Sequence, residues 1–143
     1  MDRDILIERV RKAAARILAG RNVLAAYAFG SRIAGSPRPD SDLDIGYYFA
    51  GGPGEATLPL RDEVALASAL SDEIGLDVDL RDLGGAPLEL RGRVLEEGVR
   101  VYCSDAVARV ALERDILGRY HDYKVEFLLM HDLRLRMLAE RGA

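Results

Sequence analysis

The sequence predicts an α/β or α+β fold, in which a mixed β-sheet is flanked by helices and followed by a C-terminal helical tail. Two observations support this prediction. Segments whose apolar residues recur at helical spacing alternate with short runs that have the composition of strands, and glycine, proline or asparagine marks their boundaries. Strands that alternate with helices are typical of domains built around one sheet.

The first half of the chain is predicted to contain four elements. In chain order they are a helix at residues 3–18, a strand at Val23–Phe29, a second strand at Leu43–Phe49 and a helix at Leu60–Ile74. Gly20 and Asn22 mark the end of the first helix, and Gly75 ends the second. A segment rich in proline and glycine separates the two strands, and residues 50–54 are predicted to form a loop.

The second half is predicted to contain two strands, one helix between them and a long final helix. In chain order they are a strand at 76–83, in which apolar and acidic residues alternate, a helix at 87–97, a strand at Val99–Cys103 and the helical tail. Ser104 or Asp105 is predicted to cap the tail, which reaches about Ala139, and Gly118 is an expected point of interruption.

Length and charge restrict the class of protein. A chain of 143 residues, 49% of them apolar, is expected to form one domain over residues 1–143, with a core at about 1–103 and a helical extension at about 104–143. Because there is no membrane-length apolar run, no secretion signal and only one cysteine, a cytoplasmic location without a membrane partner is expected. The net charge of −4 argues against a direct nucleic-acid partner.

The segment FGSRIAGSPRPDSDLDIGYYF, residues 29–49, places acidic residues in a strand that otherwise looks buried. Asp42 and Asp44 are two residues apart and therefore lie on one face, where their charges repel. A third carboxylate, from Asp77 or Asp79 on the third strand, can face the same point. Three carboxylates without histidine or thiolate favour Mg²⁺ or Mn²⁺, and two such ions about 3.5 to 4 Å apart serve phosphoryl and nucleotidyl transfer.

The Gly-Ser pair at the end of the first strand suggests an anion-binding turn. A strand that turns at Gly30-Ser31 into a short helix presents backbone N–H groups and a hydroxyl, for which phosphate is a suitable ligand. Arg32 and Arg38 either contact phosphate or flank the loop.

A Gly-Ser pair followed ten residues later by Asp-x-Asp resembles the polymerase-β-like nucleotidyltransferase superfamily. Within it, the short chain is similar to the minimal nucleotidyltransferases, the MNT proteins that are often paired as antitoxins with HEPN toxins. VDLRDL resembles the strand that carries the third carboxylate, and RGRVLEEGVRVY resembles the segment after it. The resemblance therefore covers most of the chain and implies a polymerase-β-like nucleotidyltransferase fold.

The resemblance also implies roles for individual residues. The Gly-Ser pair would hold the triphosphate, both acids of Asp-x-Asp would bind two metal ions, and Asp79 would complete one metal site and help to activate the attacking hydroxyl. Asp79 is preferred to Asp77 because the family places this acid before a Leu-x-Asp-Leu-like run. The predicted catalytic and metal-binding residues are Asp42, Asp44 and Asp79, and the predicted nucleotide-binding residues are Gly30, Ser31, Arg32 and Ser41.

The implied activity is Mg²⁺-dependent transfer of AMP from ATP to a hydroxyl, with release of pyrophosphate; Mn²⁺ is the other candidate ion. The implied acceptor is a tyrosine of a cognate HEPN ribonuclease toxin, which the modification would silence. Two alternatives remain: an acceptor that is a small molecule or an RNA end, and a non-catalytic antitoxin that neutralises its toxin by binding. The intact acids argue against the last, because a pure binding protein does not need converging charges that repel.

The helical tail carries an apolar stripe at helical spacing. Its members are Tyr123, Phe127, Met130, Leu133 or Arg134, and Met137. Such a stripe either packs back across the sheet as core or docks the toxin or a second copy of the chain. Because residues 127–130 are apolar around more than one face, part of the stripe is expected to form a docking surface.

Five further residues receive predictions of their own. His121 and His131 on the tail are expected at the surface. Cys103 is expected to be a small core residue. Alternation along the second strand predicts that at least one of Tyr47 and Tyr48 is core rather than a platform for a base.

Overall fold

The computed structural model describes residues 2–35, 40–51 and 57–142 of the chain. Its elements follow one another in the predicted order. They are α1 (Arg3–Ile17), β1 (Val23–Phe29), α2 (Ser31–Ala34), β2 (Leu43–Phe49), α3 (Leu60–Ile74), β3 (Val78–Asp82), α4 (Leu88–Glu97), β4 (Val99–Cys103) and α5 (Ala106–Gly142). A mixed sheet with flanking helices and a long C-terminal helix confirms the predicted fold class.

The four strands lie in the order β3-β2-β1-β4. β1 pairs antiparallel with β2 on one side and with β4 on the other, whereas β2 and β3 are parallel. β2 and β3 can run parallel because α3 connects them, as a parallel crossover requires. In this register Asp44 lies beside Asp79 of β3 on one side and beside Phe29 of β1 on the other.

Alternation along the strands divides the core between the two faces of the sheet. α1 and α3 cover one face, which buries Leu43, Ile45 and Tyr47 of β2. α4 and the first half of α5 cover the other face, which buries Tyr27 of β1 and Tyr48 of β2. Residues 47 and 48 are therefore both core, one on each face, and neither is exposed for stacking on a base.

Polar contacts and one glycine hold α4 and α5 on their face of the sheet. The Tyr27 hydroxyl donates to Glu113 Oε1 at 2.6 Å, and Arg109 donates to both Glu113 oxygens at 3.1 Å. Burial, and next the bond to Glu113, raise the pKa of Tyr27 far above its ordinary value, so Tyr27 remains a neutral donor. Gly92 allows α5 to lie close to α4, because a Cβ at this position would overlap the ring of Tyr120.

α5 is a single helix of 37 residues. Asp105, rather than Ser104, caps it, because Asp105 Oδ1 accepts the N–H of Ala108 at 3.1 Å. The expected interruption at Gly118 is wrong: a glycine costs a helix only about 1 kcal/mol, which a helix of this length tolerates. Residues 121–142 are all exposed, so the interpretation of the tail stripe as core is also wrong.

The extent of β3 and one burial prediction also need correction. β3 is shorter than the predicted strand because a turn follows it directly, in which Asp82 Oδ1 accepts the N–H of Gly84 at 2.8 Å. Cys103 is partly exposed rather than core, whereas His121 and His131 are exposed as predicted. Of the predicted loop at residues 50–54, residues 52–54 lie outside the described residues.

Within residues 2–35, 40–51 and 57–142, no helix combines the length and apolar character needed to cross a membrane.

Candidate active site

The start of β2 places two carboxylates on the face opposite its main core residues. Leu43 and Ile45 are fully buried under α1 and α3. Asp42 and Asp44, which alternate with them, point to the other face, where Asp44 is half-buried and Asp42 is exposed. Because Leu43 and Ile45 are buried on one face, the alternation of the strand directs both acids to the other.

Asp79 lies directly beside Asp44 on the neighbouring parallel strand. As paired residues on neighbouring strands, the two acids present their side chains on the same face of the sheet. Burial raises the pKa of Asp44, the charge of Asp79 and that of Asp42 raise it further, and Arg81 acts in the opposite direction. The three predicted acids therefore influence one another at one end of the sheet.

The register also separates the two candidates for the third acid. Leu43 and Val78 are paired, so the residue beside Asp42 is Asp77 and the residue beside Asp44 is Asp79. Asp77 is exposed, and its backbone carbonyl accepts the N–H of Leu43 at 2.8 Å. Because Asp79 is the acid that lies beside the half-buried Asp44, the geometry favours Asp79 as the third member of the site.

Arg81 is a charged neighbour that the sequence prediction did not include. Its Nε lies 3.2 Å from Asp79 Oδ2, in an ion pair whose side chains are about half exposed. Alternation along β3 could have identified it, because residues two apart on a strand share a face. Arg81 therefore places a positive charge against the acids.

Gly30 forms a tight turn against the same acids. It has φ of +85°, and a Cβ at this position would overlap the Asp44 carboxylate. Only glycine combines this backbone conformation with so close an approach. Ser31, the next residue, begins α2, whose first turn is closed by the N–H of Ala34 donating to the Gly30 carbonyl at 2.9 Å. The predicted phosphate-binding pair therefore lies next to the acids.

A cavity of about 300 Å³ opens beside Gly30 and Ser31. α4 supplies its other wall, with an apolar surface from Leu90 and Val94 and a charged rim from Arg93 and Glu97; Phe29 and Ala34 complete the lining. The sequence prediction did not include these α4 residues, because their position depends on how the helix packs on the sheet. A separate cavity of about 610 Å³ lies at the opposite end of β1 and β2, away from the acids.

Arg32 and Ser41 join the two ends of the segment between α2 and β2. Arg32 Nε donates to the Ser41 carbonyl at 2.7 Å, and both residues line a cavity of about 320 Å³ that also includes Asp42 and Asp77. These two predicted nucleotide-binding residues thus lie beside the acids. Arg38 lies outside the described residues.

The acids suit a divalent cation by their chemistry, although they are not arranged around one point. Carboxylate oxygens are the ligands that Mg²⁺ and Mn²⁺ prefer, and a cation would relieve the repulsion that Asp44 experiences from Asp79 and Asp42. In the part of the chain that the structure describes, no three acidic, histidine or cysteine side chains form a ready-made metal site.

The polymerase beta nucleotidyltransferase family model matches residues 12–107, which include the Gly-Ser pair and all three acids. No curated protein matches the sequence. A protein assigned to the minimal nucleotidyltransferases has a solved structure with 33% sequence identity and a TM-score of 0.55, over 69% of this chain and 95% of that chain.

Two solved complexes share the fold. A toxin–antitoxin complex with AMP-PNP has 22% identity and a TM-score of 0.64, over 90% of this chain and 98% of that chain. A complex of a tri-AMPylated HEPN toxin from Shewanella oneidensis with an MNT antitoxin has 20% identity and a TM-score of 0.61, over 94% of this chain and 99% of that chain. Because the family model covers most of the sequence, the chain belongs to the polymerase beta nucleotidyltransferase family.

Proposed function

We propose that this chain transfers AMP from ATP to a tyrosine hydroxyl of a HEPN ribonuclease toxin and thereby acts as its antitoxin. The observation that carries the proposal is that Asp44 lies between the Gly30 turn and Asp79: a Cβ on Gly30 would overlap its carboxylate, and Asp79 is its partner on the neighbouring strand. A phosphate-binding turn and a group of acids are thus within reach of one nucleotide. The two fold relatives support the choice of substrates, since one contains AMP-PNP and the other a tri-AMPylated HEPN toxin.

The nucleotide would bind along the turn between β1 and α2. Gly30 and Ser31 would hold the triphosphate through backbone N–H groups and the serine hydroxyl. Arg32 and Ser41 would hold it from the other side, because they lie at the cavity that includes Asp42. The cavity beside α4 would take the rest of the nucleotide against its apolar wall.

The proposed reaction is a single displacement at phosphorus. The acceptor oxygen forms a bond to the α-phosphorus of ATP while the bond from that phosphorus to the bridging oxygen breaks, and pyrophosphate leaves. The proton of the acceptor hydroxyl passes to Asp79, whose carboxylate is partly exposed. The product is a phosphodiester between AMP and the acceptor.

Divalent cations complete the proposed site. Asp42 and Asp44 would bind two ions, Mg²⁺ or Mn²⁺, and Asp79 would bind one of them, because all three offer oxygen ligands and repel one another otherwise. When bound, such ions supply Lewis-acid stabilisation of the charge on the phosphates.

The test is transfer of label to the HEPN toxin from the same genome. The full chain, the toxin and MgCl₂ are incubated with ATP labelled at either the α- or the γ-phosphate. We expect the α-label on the toxin, the γ-label in pyrophosphate and loss of the toxin's ribonuclease activity. Replacing the modified tyrosine by phenylalanine should remove the label.

The alternatives give different results in the same experiment. α-Label on RNA or on an added small molecule, with none on the toxin, would mean a different acceptor. A toxin that is silenced without label, and equally well by the Asp42→Asn variant, would mean neutralisation by binding alone. Either result would overturn the proposal.

A further inference from the structure

The second part of α5, residues 121–142, extends beyond the body of the domain, and we call it the tail. All of its residues are exposed. Its apolar stripe continues the face by which α5 packs on its own domain, because Ile116 and Tyr120 are buried and Tyr123 follows at the next helical step. The exposed fractions of the stripe range from 38% for Tyr123 to 57% for Phe127. The tail thus presents a core-like surface with no cover among the described residues.

We infer that the tail stripe pairs with the same stripe of a second copy of this chain, as two antiparallel helices. The stripe is nearly symmetric about Met130: Tyr123 and Met137 lie seven residues to either side, and Phe127 and Leu133 lie three residues to either side. A two-fold axis near Met130 places the stripes of the two copies against each other in opposite directions. The aromatic end of one helix then packs on the methionine end of the other.

The charges on the tail favour the same arrangement. Arg134 interrupts the stripe, and among the described residues neither Arg134 nor Glu126 forms an ion pair, whereas Arg136 pairs with Asp132 at 3.1 Å. In an antiparallel contact centred near Met130, each Glu126 lies within about one turn, about 5.4 Å, of Arg134 of the second copy. Parallel helices would instead place the two Arg134 side chains together. The arrangement therefore forms two symmetric ion pairs.

The size of the contact predicts how strong the association is. The overlapping helices are about 30 Å long and contact each other along one side only. Such a contact is at the small end of protein interfaces, for which weak and reversible association is usual. The expected dissociation constant is therefore micromolar. The apolar residues Val125, Leu128 and Leu135 lie on sides of the tail that this contact leaves open.

The test is the oligomeric state of the full chain without nucleotide or toxin. Sedimentation equilibrium from nanomolar to several hundred micromolar protein should show a reversible monomer–dimer equilibrium. Glu126→Arg and Arg134→Glu should each weaken the dimer at least about tenfold, because like charges then face each other. Mixed in equal amounts, the two variants should form a heterodimer as stable as the wild type, since every pair is again of opposite charge.

Two control variants carry the same charge changes away from the stripe. Asp132→Arg and Arg136→Glu should alter the dissociation constant less than about threefold, and circular dichroism should show that all four variants are folded. A chain that stays monomeric, single variants that do not weaken the dimer, or a mixture that does not restore it would each overturn the inference. If the wild-type chain stays monomeric until the HEPN toxin is added, the stripe binds the toxin instead of a second copy. This conclusion does not depend on the outcome of the transfer assay.

Discussion

The two faces of the sheet differ in what they leave accessible. The face under α1 and α3 fully buries Leu43 and Ile45 at the start of β2. The face under α4 and α5 buries Tyr48 near the end of β2 but leaves Asp44 half-buried and Asp42 exposed at its start. On β2, residues that stabilise the core therefore alternate along the sequence with acids that remain accessible.

Substitutions on opposite faces of β2 should separate these two properties most sharply. Asp42→Asn should lower AMP transfer at least about a hundredfold and change the free energy of unfolding by less than about 0.5 kcal/mol, because Asp42 is exposed. Ile45→Ala should cost about 2–5 kcal/mol of stability by leaving a cavity in the core. Urea unfolding measures the change in stability, and labelled ATP measures the rate of transfer. Transfer by the Asn variant at near wild-type rate with Mg²⁺ would contradict the role of Asp42.

The acids on β3 test how far the active face extends. Asp79→Ala should reduce transfer about a hundredfold, because Asp79 is the acid that lies beside Asp44. Asp77→Ala, at the residue just before β3, should reduce it less than about tenfold. Both variants should unfold at similar urea concentrations. The reverse ranking in the transfer assay would identify Asp77 as the third acid.

The turn at Gly30 tests whether the backbone must approach the acids. Gly30 and Gly35 both have positive φ, but a Cβ overlaps the Asp44 carboxylate at Gly30 and meets nothing within 4 Å at Gly35. Gly35→Ala should therefore show only the cost of backbone strain, about 1 kcal/mol, with ATP affinity unchanged. Gly30→Ala should in addition weaken ATP binding at least about tenfold, because the carboxylate must move. Calorimetric titration measures the affinity; equal losses in both variants would show that strain alone is responsible.

The elements and the directions of the acids could be predicted because both depend on local patterns. β1, β2 and β4 have the predicted boundaries, since glycine, proline and polar residues flank clear apolar runs. Asp42 and Asp44 share a face for the same reason, as period two is a property of any strand.

The remaining features depend on contacts between distant parts of the chain. Sequence patterns cannot decide between Asp77 and Asp79, because the parallel register of β2 and β3 determines which acid meets Asp44. They also cannot decide whether the tail stripe is core, because that depends on where the body of the domain ends. The helix continues through Gly118 into a region with no sheet to cover it, so the stripe is exposed.

The smallest expected effect concerns the mutual repulsion of the acids and its dependence on pH. Burial, and next the charge of Asp79, raise the pKa of Asp44 above its unfolded value. A raised pKa in the folded state means that the protonated carboxyl stabilises the fold below the unfolded pKa and that this stabilisation is lost as the pH rises through the folded pKa. At neutral pH without divalent ions, the ionised Asp44 therefore opposes folding.

Asp44→Asn should remove this opposition. Without divalent ions the variant should be more stable than the wild type at neutral pH, by at most about 1 kcal/mol, and its advantage should shrink as the pH falls below the ordinary pKa of aspartate. Asp77→Asn, on an exposed residue, should differ from the wild type by less than about 0.5 kcal/mol at either pH. Adding Mg²⁺ should stabilise the wild type but not Asp44→Asn, because a ligand that binds the folded state stabilises it. Urea unfolding at neutral and acidic pH, with and without Mg²⁺, measures each difference. If the stability advantage of Asp44→Asn instead grows as the pH falls, the carboxylates do not repel one another. The two faces of β2 would then differ only in how deeply their residues are buried.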